Sequence, residues 1–377
     1  MFKFVLTAIF LVMPVLSPAG AVAGEHGENS DTAVAQLISE LGLWESSTAA
    51  RDLPGWRPPV KILVRLLPDD QLSDFQAVAP GVELVAVESV EEAAKNVPGA
   101  QAILGYCSQQ VFSAEPALQW VQVYSAGVER CVANAGIREG EKLLTNGQKI
   151  GSPALAEHAV AMMMMLARGL DVYHSNQLKG SWQRQTGLAR ADHVELTGRT
   201  VLVAGLGGIG TQVAKRAHAL GMRVIATRGS RREGPEYVAY VGLADELNQL
   251  AEQADFVINT VPLTDKTRGI FNKTFFDAMK PEAFFISVGR GASTVTDDLV
   301  SALESGAIAG AGLDVTDPEP LPEGHPLWSM PRVIISPHTA GRSDRSLKRL
   351  SLLVRENLRR YVAGEPMLSV VNIERGY

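Results

Sequence analysis

From residue 60 onward the chain alternates short apolar runs with longer stretches in which apolar residues recur at helical spacing. The runs at 60–66, 82–87, 102–104 and 121–123 read as buried strands, with helical segments or turns between them. Alternation of this kind predicts a parallel sheet with helices on both faces. A long apolar helix is predicted at 152–173, with Ser152 as its N-cap and Pro153 at the first helical position, where a missing N–H is harmless. The methionine run at 162–165 reads as core filling in a helix buried all round rather than as a cofactor contact. A second alternating block opens at Thr200. It contains a strand, a glycine turn, a helix at 211–220 closed by Gly221, and strands at 223–226, 256–260, 284–288, 310–313 and 333–336. A last helix is predicted at 343–362. The fold class is therefore α/β, with two doubly wound parallel-sheet domains.

The first two dozen residues depart from this pattern. Lys3 precedes an apolar run at 4–13, then come Pro14 and small residues ending in Ala21-Val22-Ala23. This is the order of a secretory signal peptide, and the run is shorter than the roughly 20 apolar residues that span a bilayer. The expectation is a leader at 1–23, no stable membrane anchor, and an exported or periplasmic protein; a start at Met13 or later, leaving the protein cytoplasmic, is the alternative. Residues 24–59 read as a polar lead-in with one short helix at 32–43. The composition, 46% hydrophobic and 20% charged over 377 residues, is that of a globular chain with a sizeable core. With 35 basic against 41 acidic residues, nothing suggests a nucleic-acid partner. Two cysteines, Cys107 and Cys131, exclude a cysteine metal cluster, and no metal site is expected. They are read as unpaired thiols, with pairing open to them in an oxidising compartment.

The turn after Thr200 carries the first chemistry. Gly205, Gly207 and Gly210 match G-x-G-x-x-G, directly after a strand and at the start of a helix, which is the context the motif needs. Gly205 permits the tight turn, Gly207 lets the backbone approach a pyrophosphate, and Gly210 allows close helix–strand packing. Gly208 and Ile209 share the helix N-terminus, whose free N–H groups suit phosphates. An NAD site would place a carboxylate about 20 residues on, for the ribose hydroxyls. The chain has TRGSRRE (227–233) there instead. A carboxylate would repel a 2′-phosphate, whereas arginine grips it through paired N–H bonds. Arg228, Ser230 and Arg231 are therefore assigned to the 2′-phosphate of NADP, with NAD as the alternative cofactor. Arg232 is less engaged, since Glu233 stands next to it. The bland reading is a solvated surface loop.

Three later segments end strands that open on the same side as the glycine turn. ISVGRGAS (286–293) holds Arg290 between two glycines, GLDVTDPEPLP (312–322) holds Asp314 and Glu319, and IISPHTAG (334–341) holds His338. An arginine, a carboxylate and a histidine converging at such a crevice suit hydride transfer to a 2-keto acid.

At these residues the chain resembles the D-isomer-specific 2-hydroxyacid dehydrogenase family, from about Val60 to the C-terminus. The match runs through WVQVYSAGVER (120–130), LLTNGQ (143–148), ALAEHAVAMM (154–163), LTGRTVLVAGLGGIG (196–210), TVPLTDKTRGIF (260–271), ISVGRGA (286–292), GLDVTDPEPLP (312–322), PLWSMPRVIISPHTAG (326–341) and ENLRRYVAGEP (356–366). The resemblance implies a Rossmann cofactor domain, at 152–340 with its linking helix, inserted in a flavodoxin-like substrate domain formed by 60–151 and 341–377. It also implies a homodimer. Arg290 would hold the substrate carboxylate and carbonyl, His338 would donate the proton, and Glu319 would orient the imidazole. Asp314, Val261, Pro262 and the backbone at Gly289 would line the nicotinamide end. Gly105, Tyr106 and Ser125 would face the substrate. The absent ribose acid resembles the NADP-preferring glyoxylate and hydroxypyruvate reductases, and the leader is atypical of the family. The expectation is a reductase of small 2-keto acids to D-2-hydroxy acids. The rivals are a cofactor-sensing or corepressor-like binding module and an exported paralogue that holds its cofactor tightly.

Overall fold

The computed structural model describes residues 30–138, 142–184 and 193–374. The suspected leader at 1–23 lies outside the described residues. Two parallel sheets organise the chain. The larger has seven strands in the spatial order Val333–Ile335, Gly310–Leu313, Phe284–Ser287, Phe256–Asn259, Thr200–Ala204, Arg223–Arg228 and Tyr240–Leu243. The chain enters at Thr200–Ala204, winds outward to Tyr240–Leu243, then returns to Phe256–Asn259 and winds the other way. That reversal opens a crevice beyond the carboxyl ends of the two central strands, where a doubly wound sheet takes its ligand. Phe256–Asn259, Phe284–Ser287 and Gly310–Leu313 are buried throughout. Helices cover both their faces, which is why they read as unbroken apolar runs.

The smaller sheet has the order Glu83–Ala86, Lys61–Val64, Ala102–Leu104, Trp120–Gln122 and Leu143–Thr145, again all parallel. Its body is closed by both ends of the described chain. Helix Ser30–Leu41 buries Leu37 and Leu41 in the same core as Leu353, Leu358 and Tyr361 of helix Ser346–Ala363. Strand Glu45–Ala49 pairs antiparallel with Pro366–Leu368. Arg360 ties the two ends, reaching Glu45 at 2.6 Å and Glu356 at 2.5 Å. The stretch expected to be a polar lead-in is thus partly a packed element. ESSTA at 45–49 is too polar to announce a strand, and its partner lies more than 300 residues away.

Four further expectations are corrected. The helix predicted at 152–173 ends at Ala167 and resumes at Leu170–Leu178, because Gly169 takes a left-handed φ of +63°. Its N-cap is Gly151, with Ser152 already helical. It is not buried all round: Met162 and Met163 enter the core, while Met164 is exposed. Cys107 and Cys131, read as unpaired, form a disulfide with their Cα atoms 5.6 Å apart. The loop following Ala102–Leu104 and the short helix Glu129–Val132, which follows the neighbouring strand, emerge at the same carboxyl end of the sheet. Adjacency in a parallel sheet brings together cysteines 24 residues apart.

Candidate active site

Strand Thr200–Ala204 ends at Gly205, whose φ of +94° allows the turn. A Cβ on Gly205 would stand 3.1 Å from the Val261 nitrogen, so the buried end of Phe256–Asn259 abuts the turn directly. A Cβ on Gly210 would stand 2.1 Å from the Gly205 carbonyl oxygen, so only glycine lets the helix Gly208–Ala219 begin this close to the strand. Gly207 differs: a Cβ there would meet no protein atom within 4 Å. Its bareness serves no packing and leaves backbone open at a helix N-terminus, which fits a pyrophosphate. The Thr260 hydroxyl donates to the Gly205 carbonyl at 2.6 Å, and the Gly205 N–H donates to Thr227 Oγ1 at 3.2 Å. These bonds lock the turn to the strands on either side.

Arg228 closes the next strand. It is half-buried, and its Nε is buried with no hydrogen-bond partner. Burial, followed by repulsion from Arg231, holds its guanidinium below the ordinary arginine value. A buried donor without an acceptor is costly, and an anion here would relieve both penalties. Among the described residues, no carboxylate pairs with Arg228 or Arg231 within 4 Å, whereas Arg232 is occupied. Its partner is Glu246 at 2.8 Å, with Tyr240 Oη at 3.1 Å, not the adjacent Glu233. The strand Tyr240–Leu243, not foreseen from sequence, brings Tyr240 and the following Glu246 to it. The Arg228 environment therefore fits a phosphate-bearing nucleotide.

At the opposite side of the switch point, His338 Nδ1 lies 2.5 Å from Glu319 Oε1, both side chains partly exposed. His338 has a φ of +52°, and its N–H donates to the Asp314 carbonyl at 2.9 Å. Asp314 is buried. Its carboxylate accepts from Ser336 Oγ at 2.6 Å, the Thr339 N–H at 2.9 Å and the Ala340 N–H at 3.1 Å. Through these bonds the Asp314 carboxylate pins the segment that carries His338. Arg290 leaves its strand between Gly289 and Gly291. A Cβ on Gly291 would stand 1.8 Å from the Thr316 carbonyl oxygen, and one on Gly289 2.8 Å from that of Val261. Close backbone packing thus stacks the loops bearing Val261, Arg290 and Glu319. Pro262 is exposed beside Val261.

The smaller sheet supplies the facing wall. Arg290 Nε donates to Glu129 Oε1 at 3.0 Å, Nη1 donates to the Gly289 carbonyl at 2.9 Å, and Nη2 lies where a Gly127 Cβ would be, 2.2 Å from it. Glu129 was not singled out from sequence. It belongs to SAGVER, and only the meeting of two sheets reveals its partner 161 residues on. Ser125 Oγ donates to the Gly127 carbonyl at 2.6 Å, and Gly105 and Tyr106 leave the neighbouring strand at the same edge. The structure brings Arg290 together with Gly127 and Glu129 and brings His338 together with Glu319, while Arg228, Ser230 and Arg231 lie on the other side of the glycine turn.

Comparison with known proteins bears on the family and the fold. The model of the D-isomer specific 2-hydroxyacid dehydrogenase NAD binding domain matches residues 160–340. Human glyoxylate reductase/hydroxypyruvate reductase is 33% identical over 294 residues, which is 75% of this chain and 87% of the human protein. A D-isomer specific 2-hydroxyacid dehydrogenase from Xanthobacter autotrophicus Py2, solved with NADPH and MES, is 28% identical with a TM-score of 0.72, covering 84% of this chain and 99% of that one. An NADPH-dependent glyoxylate/hydroxypyruvate reductase from Sinorhizobium meliloti, solved with NADP and sulfate, is 26% identical with a TM-score of 0.67, covering 84% and 99%. A Rossmann sheet with an intact glycine turn, set in a flavodoxin-like body and matched over nearly the whole length of these proteins, leads to one assignment: the chain belongs to the D-isomer-specific 2-hydroxyacid dehydrogenase family and is an NAD(P)-dependent oxidoreductase.

Proposed function

We propose that this protein reduces small 2-keto acids of the glyoxylate or hydroxypyruvate kind to D-2-hydroxy acids, with NADPH preferred to NADH. The observation that carries the reading is the 2.5 Å contact of His338 Nδ1 with Glu319, on a loop whose Thr316 packs against Gly291 beside Arg290. When bound, the nicotinamide cofactor supplies the hydride. Arg290 receives the substrate carboxylate. Glu129 and the Gly289 carbonyl hold Nε and Nη1 of its guanidinium, leaving Nη2 to the substrate. Glu319 accepts a hydrogen bond from Nδ1–H and fixes the ring, so His338 presents Nε2–H to the carbonyl oxygen and gives up that proton as the carbonyl is reduced. The exposed ring is reprotonated from solvent. Gly205, Gly207, Gly208, Ile209 and Gly210 would hold the pyrophosphate, and Arg228, Ser230 and Arg231 the 2′-phosphate. Two relatives named for glyoxylate and hydroxypyruvate support the substrate class, and one is NADPH-dependent.

The test is steady-state turnover of a panel of 2-keto acids with NADPH and NADH. Absence of turnover, with nucleotide binding retained, would leave a cofactor-sensing module. Two further proposals accompany this reading. Exposed Leu170, Leu178 and Trp182 on and after one helix support a homodimer, checked by light scattering. The Cys107–Cys131 bridge supports an exported protein, since disulfides persist in oxidising compartments. A mature N-terminus near Gly24, found by mass spectrometry, is the expected outcome, and an intact leader in cytosolic extract would refute it.

A further inference from the structure

On the smaller sheet, three adjacent strands, Lys61–Val64, Ala102–Leu104 and Trp120–Gln122, end side by side. The Arg65 N–H donates to the Leu104 carbonyl at 2.9 Å, and the Gly105 N–H to the Gln122 carbonyl at 2.7 Å. The residues just past these ends are therefore neighbours in a row. At one end of the row, Gly127 underlies Arg290. At the other, Arg65 is exposed, with its guanidinium carbon 5.4 Å from the centre of the Tyr106 ring. Gly105, at φ +100°, lets the Arg65 stem pass: a Cβ there would lie 2.6 Å from Arg65 Cβ and 3.1 Å from Cδ. Tyr124, one residue before Ser125, donates its hydroxyl proton to the Arg65 carbonyl. Among the described residues, no carboxylate lies within 4 Å of the Arg65 guanidinium. Packing on Tyr106 restricts it without neutralising it.

We propose that Arg65 is a specificity-determining residue, and that the favoured substrates are 2-keto acids bearing a second anionic group at the end distal to the carboxylate held by Arg290. The inference rests on the reductase reading above and refines its substrate class. A substrate anchored at Arg290 and extending along the row of Ser125, Gly105 and Tyr106 would direct its distal end toward Arg65. An unpaired cation stacked on an aromatic ring favours an anion over a neutral chain. Glyoxylate, with no atoms beyond its aldehyde carbon, does not reach Arg65.

The experiment compares kcat/KM for 2-oxoglutarate with that for 2-oxohexanoate, and for phosphohydroxypyruvate with that for hydroxypyruvate, in the wild type, Arg65→Met and Arg65→Lys. Methionine keeps an apolar stem over Tyr106 without charge, and lysine restores the charge without the planar fork. The expected result is wild-type preference for the charged member of at least one pair. Arg65→Met should lower that charged-to-neutral ratio about tenfold to a hundredfold, the size of one charge-assisted hydrogen bond, with partial recovery in Arg65→Lys. The pair that responds tells a distal carboxylate from a phosphate. A wild type without preference, or a ratio unmoved in Arg65→Met, overturns the proposal. If glyoxylate and every other acid fail to turn over, the reductase reading falls. Calorimetric binding of 2-oxoglutarate and 2-oxohexanoate to the cofactor-loaded protein then decides Arg65 separately. Tighter binding of the diacid that is lost in Arg65→Met supports the site; equal binding overturns it.

Discussion

Around His338 nearly every polar group is tied to another protein group, whereas around Arg228 the charges are left open. Glu319 holds the imidazole, Asp314 uses its carboxylate on Ser336 and two backbone N–H groups, and Glu129 holds Arg290. Across the glycine turn, Arg228 Nε is buried without a partner and Arg231 repels it. The difference separates two tasks. Groups that move a proton or orient a reacting carbonyl work when they are fixed in advance, because no reorganisation is then needed during the reaction. Groups that choose a ligand must keep their hydrogen-bonding capacity for it, at some cost to the unliganded protein. The same division runs through the glycines: Gly210 and Gly291 are crowded by protein backbone, whereas Gly207 faces open space.

The tied end offers the largest effect. His338→Ala removes the proposed proton donor, and kcat should fall by roughly 10²–10⁴-fold while NADPH affinity stays nearly constant. Stopped-flow hydride transfer and fluorescence titration of NADPH would separate the two. A kcat within a few-fold of wild type at neutral pH would show that the contact with Glu319 serves only to hold a loop.

The open end should respond in affinity rather than chemistry. Arg228→Asp replaces a donor for a 2′-phosphate with a repelling carboxylate that suits the ribose hydroxyls of NADH. Losing one charge-assisted bond is worth about 1.5–3 kcal/mol, so the NADPH-to-NADH ratio of kcat/KM should fall at least about tenfold. A wild type that prefers NADH, or an unmoved ratio, would make the arginines a solvated loop and erase the contrast between the two ends.

Much of this division was legible in the chain. The apolar runs at 223–226, 256–260, 284–288, 310–313 and 333–336 fall on strands of the larger sheet, and the glycine spacing placed the turn, because both depend on local pattern. Arg228 stands out in the sequence by its distance beyond Gly210, and its open Nε is visible only in the fold. What escaped depends on contacts between distant segments. Glu129 meets Arg290 only because two sheets face each other, and Arg232 meets Glu246 only through the weakly patterned strand Tyr240–Leu243. The antiparallel pair Glu45–Ala49 and Pro366–Leu368 joins the two ends of the described chain. The break at Gly169 did have a local signal, a glycine inside an apolar helix, but apolar residues continue past it at Leu170, Val172 and Tyr173. The aim of the Asp314 carboxylate has no sequence signature, since a buried acid that binds backbone and one that faces a ligand look alike.

Two glycine substitutions sharpen the contrast further. Gly210→Ala drives a methyl into the Gly205 carbonyl at 2.1 Å, and overpacking of this kind costs about 1–3 kcal/mol, so the melting temperature should drop with or without cofactor. Gly207→Ala meets no protein atom within 4 Å, so its melting temperature should stay near wild type while affinity for both NADPH and NADH weakens. Equal loss of stability in the two variants would show that Gly207 serves packing after all.

The smallest effect is expected at Arg232, although it sits between Arg231 and Glu233 in the same basic stretch. Its guanidinium is already engaged by Glu246 and Tyr240, so Arg232→Gln should change the NADPH-to-NADH ratio by no more than about threefold, the usual scale of an exposed ion pair. The pair should instead be visible in acid. The hydrogen bond from Arg232, then those from the Leu243 N–H and Tyr240, hold the Glu246 carboxyl down at about 2 from an ordinary 4.5. A carboxyl depressed in the folded state contributes fully above its ordinary value and loses that contribution as pH falls toward its folded value. The anchoring of the basic loop should therefore be constant at neutral pH and weaken between pH 4.5 and 2 in the wild type. In Arg232→Gln the Glu246 resonance, followed by NMR titration, should move back up toward 4.5. A cofactor ratio that falls as far in Arg232→Gln as in Arg228→Asp would show that the open end reaches one arginine further along the loop, with Glu246 giving up its partner to the nucleotide.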